Sequence, residues 1–275
     1  MNALLAVAGQ ELRAGLRNRW VVATTLLLAA LALSLTLLGS APTGTLGADP
    51  LAVVVVSLAS LSIFLVPLIA LLLSFDSVVG EAERGTLLLL LAYPLARWQI
   101  LVGKFLGQTA ILALAIALGY GIAAVALRLL DGSDVEAWGA FGRLLLSSVA
   151  LGAAFLALGS LASVIVRERA TAAGLAVALW LLFVLIYDSA LIGLLVLDQG
   201  RILTAGVLDA LLLANPADAY RLLNLAGDQA MAQLTGLAGP GEPARLPPAL
   251  LSGALAAWVL LPLGAAVAAF ARKQP

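Results

Sequence analysis

Residues 51–74 read LAVVVVSLASLSIFLVPLIALLLS, an apolar run without a single charged side chain. A helix needs about 20 such residues to cross the hydrocarbon core of a bilayer. The run is long enough to do so, and it therefore predicts a transmembrane helix.

The composition extends this prediction to the whole chain of 275 residues, which is 63% hydrophobic and 11% charged with a mean hydropathy of +1.11. A soluble domain of this length could not hide that much apolar surface. We therefore expect one all-α transmembrane domain over residues 1–275. Its six spanning helices are predicted at 20–38, 51–74, 100–130, 144–166, 170–196 and 249–270.

Missing residue types exclude several kinds of chemistry. The chain has no cysteine and no histidine, and its methionines are Met1 and Met231. Thiolate nucleophiles, imidazole bases, disulfides and most soft metal ligands are therefore absent. The net charge is zero and no basic run occurs, which argues against nucleic-acid binding. We expect no catalytic residue, no metal site and no cofactor in this chain.

Basic residues determine the expected orientation, because they concentrate on the cytoplasmic side of membrane proteins. Ten lie on one side of the predicted spans, namely Arg13, Arg17, Arg19, Arg84, Arg97, Lys104, Arg167, Arg169, Arg272 and Lys273. Five lie on the other side, namely Arg128, Arg143, Arg201, Arg221 and Arg245. Both termini are on the richer side, so we expect them in the cytoplasm of a bacterium whose inner membrane holds the chain.

The first segment, residues 1–19, has the pattern of an amphipathic helix. Its apolar positions share one helical face, and they are Met1, Leu5, Ala8, Leu12 and Leu16. Polar residues such as Arg13 and Arg17 avoid that face. We expect this helix to lie at the cytoplasmic surface of the membrane.

The cytoplasmic connection at 76–99 begins DSVVGEAERGT at Asp76 and carries charges of both signs. Acids early in this stretch and a glycine after the arginine suit a short helix along the membrane surface. The connection is either a protein-docking element or an ordinary interfacial helix with solvated charges. The candidate docking residues are Glu81, Glu83, Arg84, Gly85 and Thr86. A second candidate contact lies in the next cytoplasmic connection, at Arg167, Glu168 and Arg169.

The outer connection at 198–248 is far longer than an ordinary loop. Polar residues recur at helix-like intervals within 202–237, which predicts two amphipathic helices interrupted at Asn215 and Pro216, since proline ends one helix and begins the next well. Residues 239–248 should be irregular. The connection is either an interfacial cap on the bundle or a docking surface for an extracytoplasmic partner.

Few polar residues fall within the predicted spans. Small residues that favour close helix packing, with a substrate path as the alternative, are Ser57, Ser60, Ser62, Gly152, Gly159, Ser160 and Ser163. Asp188 lies beside Tyr187 near the outer interface, where it is either a solvated carboxylate or a proton relay. The absence of mid-span cations argues against an ion-coupled carrier.

Residues 81–104 resemble the cytoplasmic signature of the ABC-2 type permeases. The resemblance rests on Glu83-Arg84-Gly85-Thr86, Tyr93-Pro94, Arg97 and Gly103-Lys104, which stand in the expected order. The segment Asn215-Pro216-Ala217-Asp218-Ala219-Tyr220-Arg221 is similar to one found in a branch of the same family. The six-span plan, the amphipathic first helix and the long outer loop agree with the family over the whole chain.

This resemblance implies a type V exporter-like fold, embedded in membrane lipids as a homodimer. It also implies a cytoplasmic ABC ATPase as partner, which the helix at 81–86 would contact as a coupling helix. A periplasmic partner would dock at Asn215, Pro216, Asp218 and Arg221. The chain lacks a Gly-x-x-x-x-Gly-Lys-Ser/Thr loop, so ATP and magnesium would bind to the ATPase partner.

Three rival functions remain open on the sequence alone. An exporter of a small, sulfur-containing substrate would use the serine-bearing second span as its path. An ion-coupled secondary carrier would work without ATP and without a partner. A passive scaffold would tolerate loss of the partner's ATPase activity.

Overall fold

The computed structural model describes residues 3–39, 50–131, 135–198, 204–226 and 246–273, which are almost entirely helical. The turn predicted at 39–50 and the irregular segment predicted at 239–248 lie mostly outside these residues. So does the part of the second predicted outer helix that follows residue 226.

The described part of the chain forms a series of helices. In chain order they are α1 (Ala3–Leu16), α2 (Arg19–Gly39), α3 (Pro50–Ser74), α4 (Val79–Glu83), α5 (Thr86–Ala92), α6 (Arg97–Asp131), α7 (Val135–Ile165), α8 (Arg169–Leu181), α9 (Tyr187–Asp198), α10 (Ala205–Leu213), α11 (Pro216–Arg221) and α12 (Pro248–Arg272). A π-helical turn at Leu182–Ile186 joins α8 to α9, and a second follows α11 at Leu222–Ala226.

Several of these helices are long and apolar enough to cross a membrane. Five segments qualify by themselves, namely Val54–Glu83, Arg97–Ala126, Gly139–Ile165, Arg169–Asp198 and Pro248–Arg272. Helices α1 and α2 qualify as a pair that is bent by 68°, so the described residues contain up to six spans. The prediction of an all-α membrane protein is confirmed, whereas the count of six spans depends on that bent pair.

Helix α7 is the centre of the bundle and packs against α3, α6 and α12. Of the residues in its apolar window 72% are buried, compared with 11% in the window of α8 and α9. Glycines make this close packing possible, because an added Cβ at Gly152 would lie 2.2 Å from Leu112 Cδ2. At Gly159 it would lie 2.0 Å from Ser74 Oγ. The prediction of a small-residue packing face in the fourth span is confirmed.

Helix α1 packs directly on the first turns of α6. A Cβ at Gly103 would lie 2.8 Å from Val7 Cβ, and one at Gly107 would lie 2.6 Å from Glu11 Cβ. At Gly107 it would also approach the backbone oxygen of Ala8 to 2.8 Å. Only glycine at these two positions lets the two helices come so close.

This packing adds a second face to the first helix. Leu5 and Leu16, on the predicted membrane-facing side, are exposed, while Val7 is buried against α6. The sequence pattern reflects a helix that faces lipid on one side. It does not reveal the second, glycine-lined contact, because that contact depends on a helix distant in the chain.

Replacing Gly107 with leucine tests this contact. We expect Gly107→Leu to destabilise the protein by about 1–3 kcal/mol, because the side chain would force α1 away from α6. Gly121→Leu on the same helix is the matched control, since nothing lies within 4 Å of its added Cβ. The measurement is the loss of monodisperse protein on heating in detergent. Equal melting of the two variants would show that α1 is not held at Gly107.

Candidate docking surfaces at the two ends of the bundle

The functional candidates fall at two ends of the bundle. We call the end that carries α1, α4, α5 and the last residues of α12 the basic end. The end that carries α10 and α11 is called the opposite end. Ion pairs and side-chain hydrogen bonds between distant parts of the chain occur at both ends.

At the basic end, residues 79–92 form two short helices instead of the single helix expected from the sequence. Helix α4 ends at Glu83, and Gly85 adopts a left-handed conformation with φ of 72° before α5 begins. Glycine tolerates this conformation without strain, which explains why the residue that breaks the two helices is a glycine.

Helix α4 begins on a side chain of the central helix. Ser163 Oγ of α7 accepts hydrogen bonds from the backbone nitrogens of Val78 and Val79, at 3.0 Å and 3.1 Å. These bonds satisfy nitrogens that a helix leaves without partners in its first turn. The sequence offered helix packing or a substrate path for Ser163, and nothing in its neighbourhood in the chain indicates this further role.

Asp76 links the cytoplasmic connection at 76–99 to the next cytoplasmic connection, at 167–169. Its carboxylate forms ion pairs with Arg84 at 3.4 Å and with Arg169 at 2.9 Å. Space for this carboxylate requires Gly80, since an added Cβ there would lie 1.8 Å from Asp76 Oδ1. Asp76 was named only as the start of the connection, and its bridging role is visible only in three dimensions.

Glu83 strengthens the same junction. Its Oε1 accepts a hydrogen bond of 2.6 Å from the backbone nitrogen of Arg169, the first residue of α8. A carboxylate at this place satisfies a free helix nitrogen and is favoured by the positive end of the helix dipole. The predicted docking residues Glu83 and Arg169 are therefore brought together, although they lie far apart in the sequence.

Glu81 points into the protein and not towards a docking surface. Its Oε1 lies 2.6 Å from Lys104 Nζ of α6, and Glu11 of α1 lies 3.3 Å from the same nitrogen. Gln108 donates a further hydrogen bond of 3.2 Å to Glu11. Lys104 is only 5% exposed, and its charge needs these partners. Glu81 therefore positions α4 on α1 and α6, and its role in docking stays a prediction.

The remaining predicted residues of the basic end are accessible. Glu83, Arg84, Gly85 and Thr86 are exposed, as are Arg167, Glu168 and Arg169. Between the two sets lies a cavity of about 580 Å³, lined by Phe75, Glu83, Glu168, Arg169, Ala170 and Ala173. We call the exposed parts of α4 and α5, this cavity and Arg167–Arg169 the basic-end surface. Leu88 and Leu89 add large exposed apolar side chains to it.

At the opposite end, the predicted break at Asn215 and Pro216 is confirmed as the start of α11. Asn215 Oδ1 accepts a hydrogen bond of 2.9 Å from Ala217 N, and Pro216 occupies the first turn. The side-chain nitrogen of Asn215 donates to Phe183 O at 2.9 Å and to Asp218 at 3.0 Å. The asparagine thus fastens α11 to the π-helical turn between α8 and α9.

This segment is buried in the bundle. Asn215, Pro216, Asp218 and Tyr220 are all buried, whereas Arg221 is partly exposed. The first three present almost no surface to another protein in this conformation, and their role in periplasmic docking stays a prediction. Their polar groups serve the attachment of α11, because a buried polar group must find its partners inside the protein.

Arg221 holds two carboxylates at the edge of this segment. Its guanidinium donates to Asp218 at 3.0 Å and forms a short ion pair with Asp188 of α9. Asp188, predicted as an interfacial carboxylate or a proton relay, is thus a partly exposed carboxylate with a basic partner. Burial, followed by the nearby charge of Asp188, raises the pKa of Asp218 to about 7 in spite of the opposing effect of Arg221.

Hydrogen bonds of hydroxyl groups also join α11 and the turn after it to the spanning helices. Tyr220 and Ser148 of α7 lie 3.0 Å apart through their oxygens, and Tyr120 of α6 bonds to Ser62 of α3. Asn224 donates to Ser147 at 2.8 Å. The sequence indicated Ser62 and Tyr220 but neither of their partners, since a hydroxyl group in an apolar stretch gives no signal of the distant residue that it contacts.

The described residues contain no group of three or more acidic side chains that could hold a metal ion. At both ends, the ion pairs and side-chain hydrogen bonds described above join helices to one another. Together with the apolar spans, this arrangement defines a multi-pass membrane subunit of the permease class.

Comparison with known proteins agrees with this class. The chain matches the family model described as ABC-2 family transporter protein over residues 5–274, and it belongs to that family. It is 47% identical over 276 residues to the probable ABC transporter permease protein NosY of Stutzerimonas stutzeri, covering 99% of each chain. The protein of the same name in Pseudomonas aeruginosa is 50% identical over 235 residues, covering 84% of this chain and 85% of the relative. The resemblance drawn from residues 81–104 is confirmed.

Titration of Asp218 gives a testable property of the opposite end. Since folding raises the pKa of this carboxyl group, its protonation stabilises the folded state, fully below about pH 4 and no longer above about pH 7. Between about pH 5 and about pH 8 the wild type should therefore lose about 2–3 kcal/mol of stability relative to Asp218→Asn, which is about 5–10 °C in melting temperature.

The control for this experiment is Glu168→Gln, which removes an exposed carboxylate at the basic end. Its melting temperature should follow that of the wild type at every pH. A constant difference between wild type and Asp218→Asn over the same range would show that Asp218 keeps an ordinary pKa.

Proposed function

We propose that this chain is the membrane-spanning permease of an ABC-type complex, in which a separate cytoplasmic ATPase drives a periplasmic partner. Its proposed role is mechanical coupling in the maturation of the copper–sulfur centre of nitrous oxide reductase. ATP and magnesium bind to the ATPase, which resembles NosF, and the periplasmic partner resembles NosD. Without cysteine or histidine in this chain, copper ligands lie on the partners.

The observation that carries the proposal is the basic-end surface. Its charges are fixed in place by the junction of Asp76, Arg84 and Arg169, and its cavity of about 580 Å³ is wide enough to receive side chains of another protein. Exposed leucines beside fixed charges are typical of a protein interface with an apolar centre and a polar rim.

Force applied to this surface would reach the bundle because α4 is fixed to it on several sides. Ser163 holds the first turn of α4, Glu81 holds it to Lys104, and Glu83 holds the start of α8. A push on α4 and α5 therefore moves the helices with it. A loosely attached loop would absorb the same push locally.

The excess of basic residues at the basic end supports a cytoplasmic location for it, with both termini in the cytoplasm of a bacterial inner membrane. A homodimer is supported by the low burial of α8 and α9, which leaves a large apolar face for a second copy or for lipid. The periplasmic partner would meet the outer connection at residues other than the buried Asn215, Pro216 and Asp218.

The rival exporter function needs polar groups along a path through the bundle. Ser60 and Ser62 instead donate hydrogen bonds to backbone oxygens of their own helix, at 2.9 Å and 2.6 Å. Ser62 also bonds to Tyr120 of α6. The hydroxyl groups of these serines are therefore already used in hydrogen bonds within the protein and are not free to line a path for a substrate. This favours coupling over transport through the second span.

The experiment isolates the chain from its native membrane in mild detergent and identifies the proteins that accompany it. We expect a P-loop ATPase and a periplasmic protein. Leu89→Gln on the basic-end surface should reduce the retained ATPase roughly tenfold, since an apolar anchor is lost from the interface. The same variant should impair maturation of nitrous oxide reductase in cells.

The matched control is Leu5→Gln, which changes a leucine of similar exposure, 60% against 67%, at the same end but on α1. It should retain the ATPase. Purification of the chain without any ATPase, or equal retention by the two variants, would refute the proposed docking surface and favour a carrier that works alone.

A further inference from the structure

The elbow between α1 and α2 forms an apolar groove against α6. The chain turns by 68° here, and Asn18 N donates to Gly15 O at 2.9 Å within the turn. The groove has a volume of about 220 Å³ and is lined by side chains of all three helices. Leu16, Leu26 and Leu118 form its open edge and are 48%, 64% and 50% exposed.

The lining offers nothing to a polar ligand. Its one hydroxyl group belongs to Thr25, and that group already donates to Val21 O at 2.8 Å. The other lining residues are leucine, isoleucine, valine and alanine. A hydrocarbon chain is the occupant that such a surface favours.

Positive charge lies at the end of the groove where α2 begins. Arg13, Arg17 and Arg19 are exposed, and no carboxylate of the described residues pairs with any of them. The one acid of α1, Glu11, is turned towards Lys104 instead. Three arginines without acidic partners attract an anion, and guanidinium groups suit phosphate oxygens.

The order of these residues along the chain matches the order of chemical groups in a membrane leaflet. Arg17 and Arg19 flank the turn, and the groove residues Val21, Val22 and Thr25 follow in the first turns of α2. At about 1.5 Å per residue, the groove starts directly below the arginines. The charged groups therefore lie at headgroup depth, and the groove lies at the depth of the acyl chains.

We propose that this elbow is a binding site for one anionic glycerophospholipid of the leaflet at the basic end. One acyl chain lies in the groove, and the phosphate lies between Arg13, Arg17 and Arg19. A second copy of the chain fits the site less well, because a two-fold contact at this face would bring the arginines of both copies together.

The test uses the full chain, purified and reconstituted in nanodiscs of phosphatidylethanolamine with phosphatidylglycerol. Lipids that remain bound are identified by native mass spectrometry. Each of the substitutions Arg13→Gln, Arg17→Gln and Arg19→Gln should lower phosphatidylglycerol binding by about fivefold, while Arg272→Gln, an exposed arginine of the same end, leaves it unchanged. Phosphatidylethanolamine binding should hardly change in any of them.

A second variant tests the groove separately from the charge. Thr25→Phe fills the groove and keeps all three arginines, so it should release a spin-labelled acyl chain of phosphatidylglycerol that the wild type immobilises. The triple replacement of the arginines by lysine keeps the charge and should bind more phosphatidylglycerol than the triple replacement by glutamine, which distinguishes loss of charge from misfolding.

Two outcomes would overturn the proposal. One is equal phosphatidylglycerol binding by the glutamine variants and Arg272→Gln. The other is an altered oligomeric state of Thr25→Phe with unchanged lipid binding, which would assign the groove to a second copy of the chain. Neither outcome depends on an ATPase, so the docking proposal stands or falls by its own experiment.

Discussion

The buried ammonium group of Lys104 determines the arrangement of the basic end. It is the point where α1, α4 and α6 meet, because Glu11 and Glu81 each contribute one carboxylate to it. A charge in this position would cost several kcal/mol without those partners. This buried ion pair therefore determines the orientation of α4. It thereby also determines where the exposed residues between Glu83 and Leu89 lie.

The opposite end uses the same arrangement with other residues. There Arg221 lies between Asp188 and Asp218, so that again one cation binds two carboxylates from different elements. Between the two ends the helices are joined by glycine packing around Gly152 and Gly159 and by hydroxyl pairs such as that of Tyr220 and Ser148. Strong electrostatic contacts are confined to the ends because an ionised side chain in the hydrocarbon region is costly.

A structural feature could be predicted from the sequence where neighbouring residues determine it, and could not be predicted where a distant residue does. The spans follow from uninterrupted apolar runs, the end of α4 from Gly85, and the start of α11 from Asn215 and Pro216, all of which are properties of neighbouring residues. The direction in which Glu81 points is different, since it depends on Lys104, which the chain reaches only after α5 and the start of α6. The local sequence pattern does not distinguish a charged residue that faces solvent from one that forms a buried ion pair.

The fifth span, α8 and α9, contacts the clusters at both ends of the bundle. Its first residue, Arg169, binds Asp76 and receives Glu83, and near its other end Asp188 binds Arg221. Between these points Phe183 O, in the π-helical turn, accepts the amide of Asn215. Because only 11% of its apolar window is buried in the bundle, few packing contacts within one copy of the chain oppose its movement. A helix that is fastened at both ends and loosely packed between them can carry a displacement of the basic-end surface to α11, with the π-helical turn as a place where it can bend.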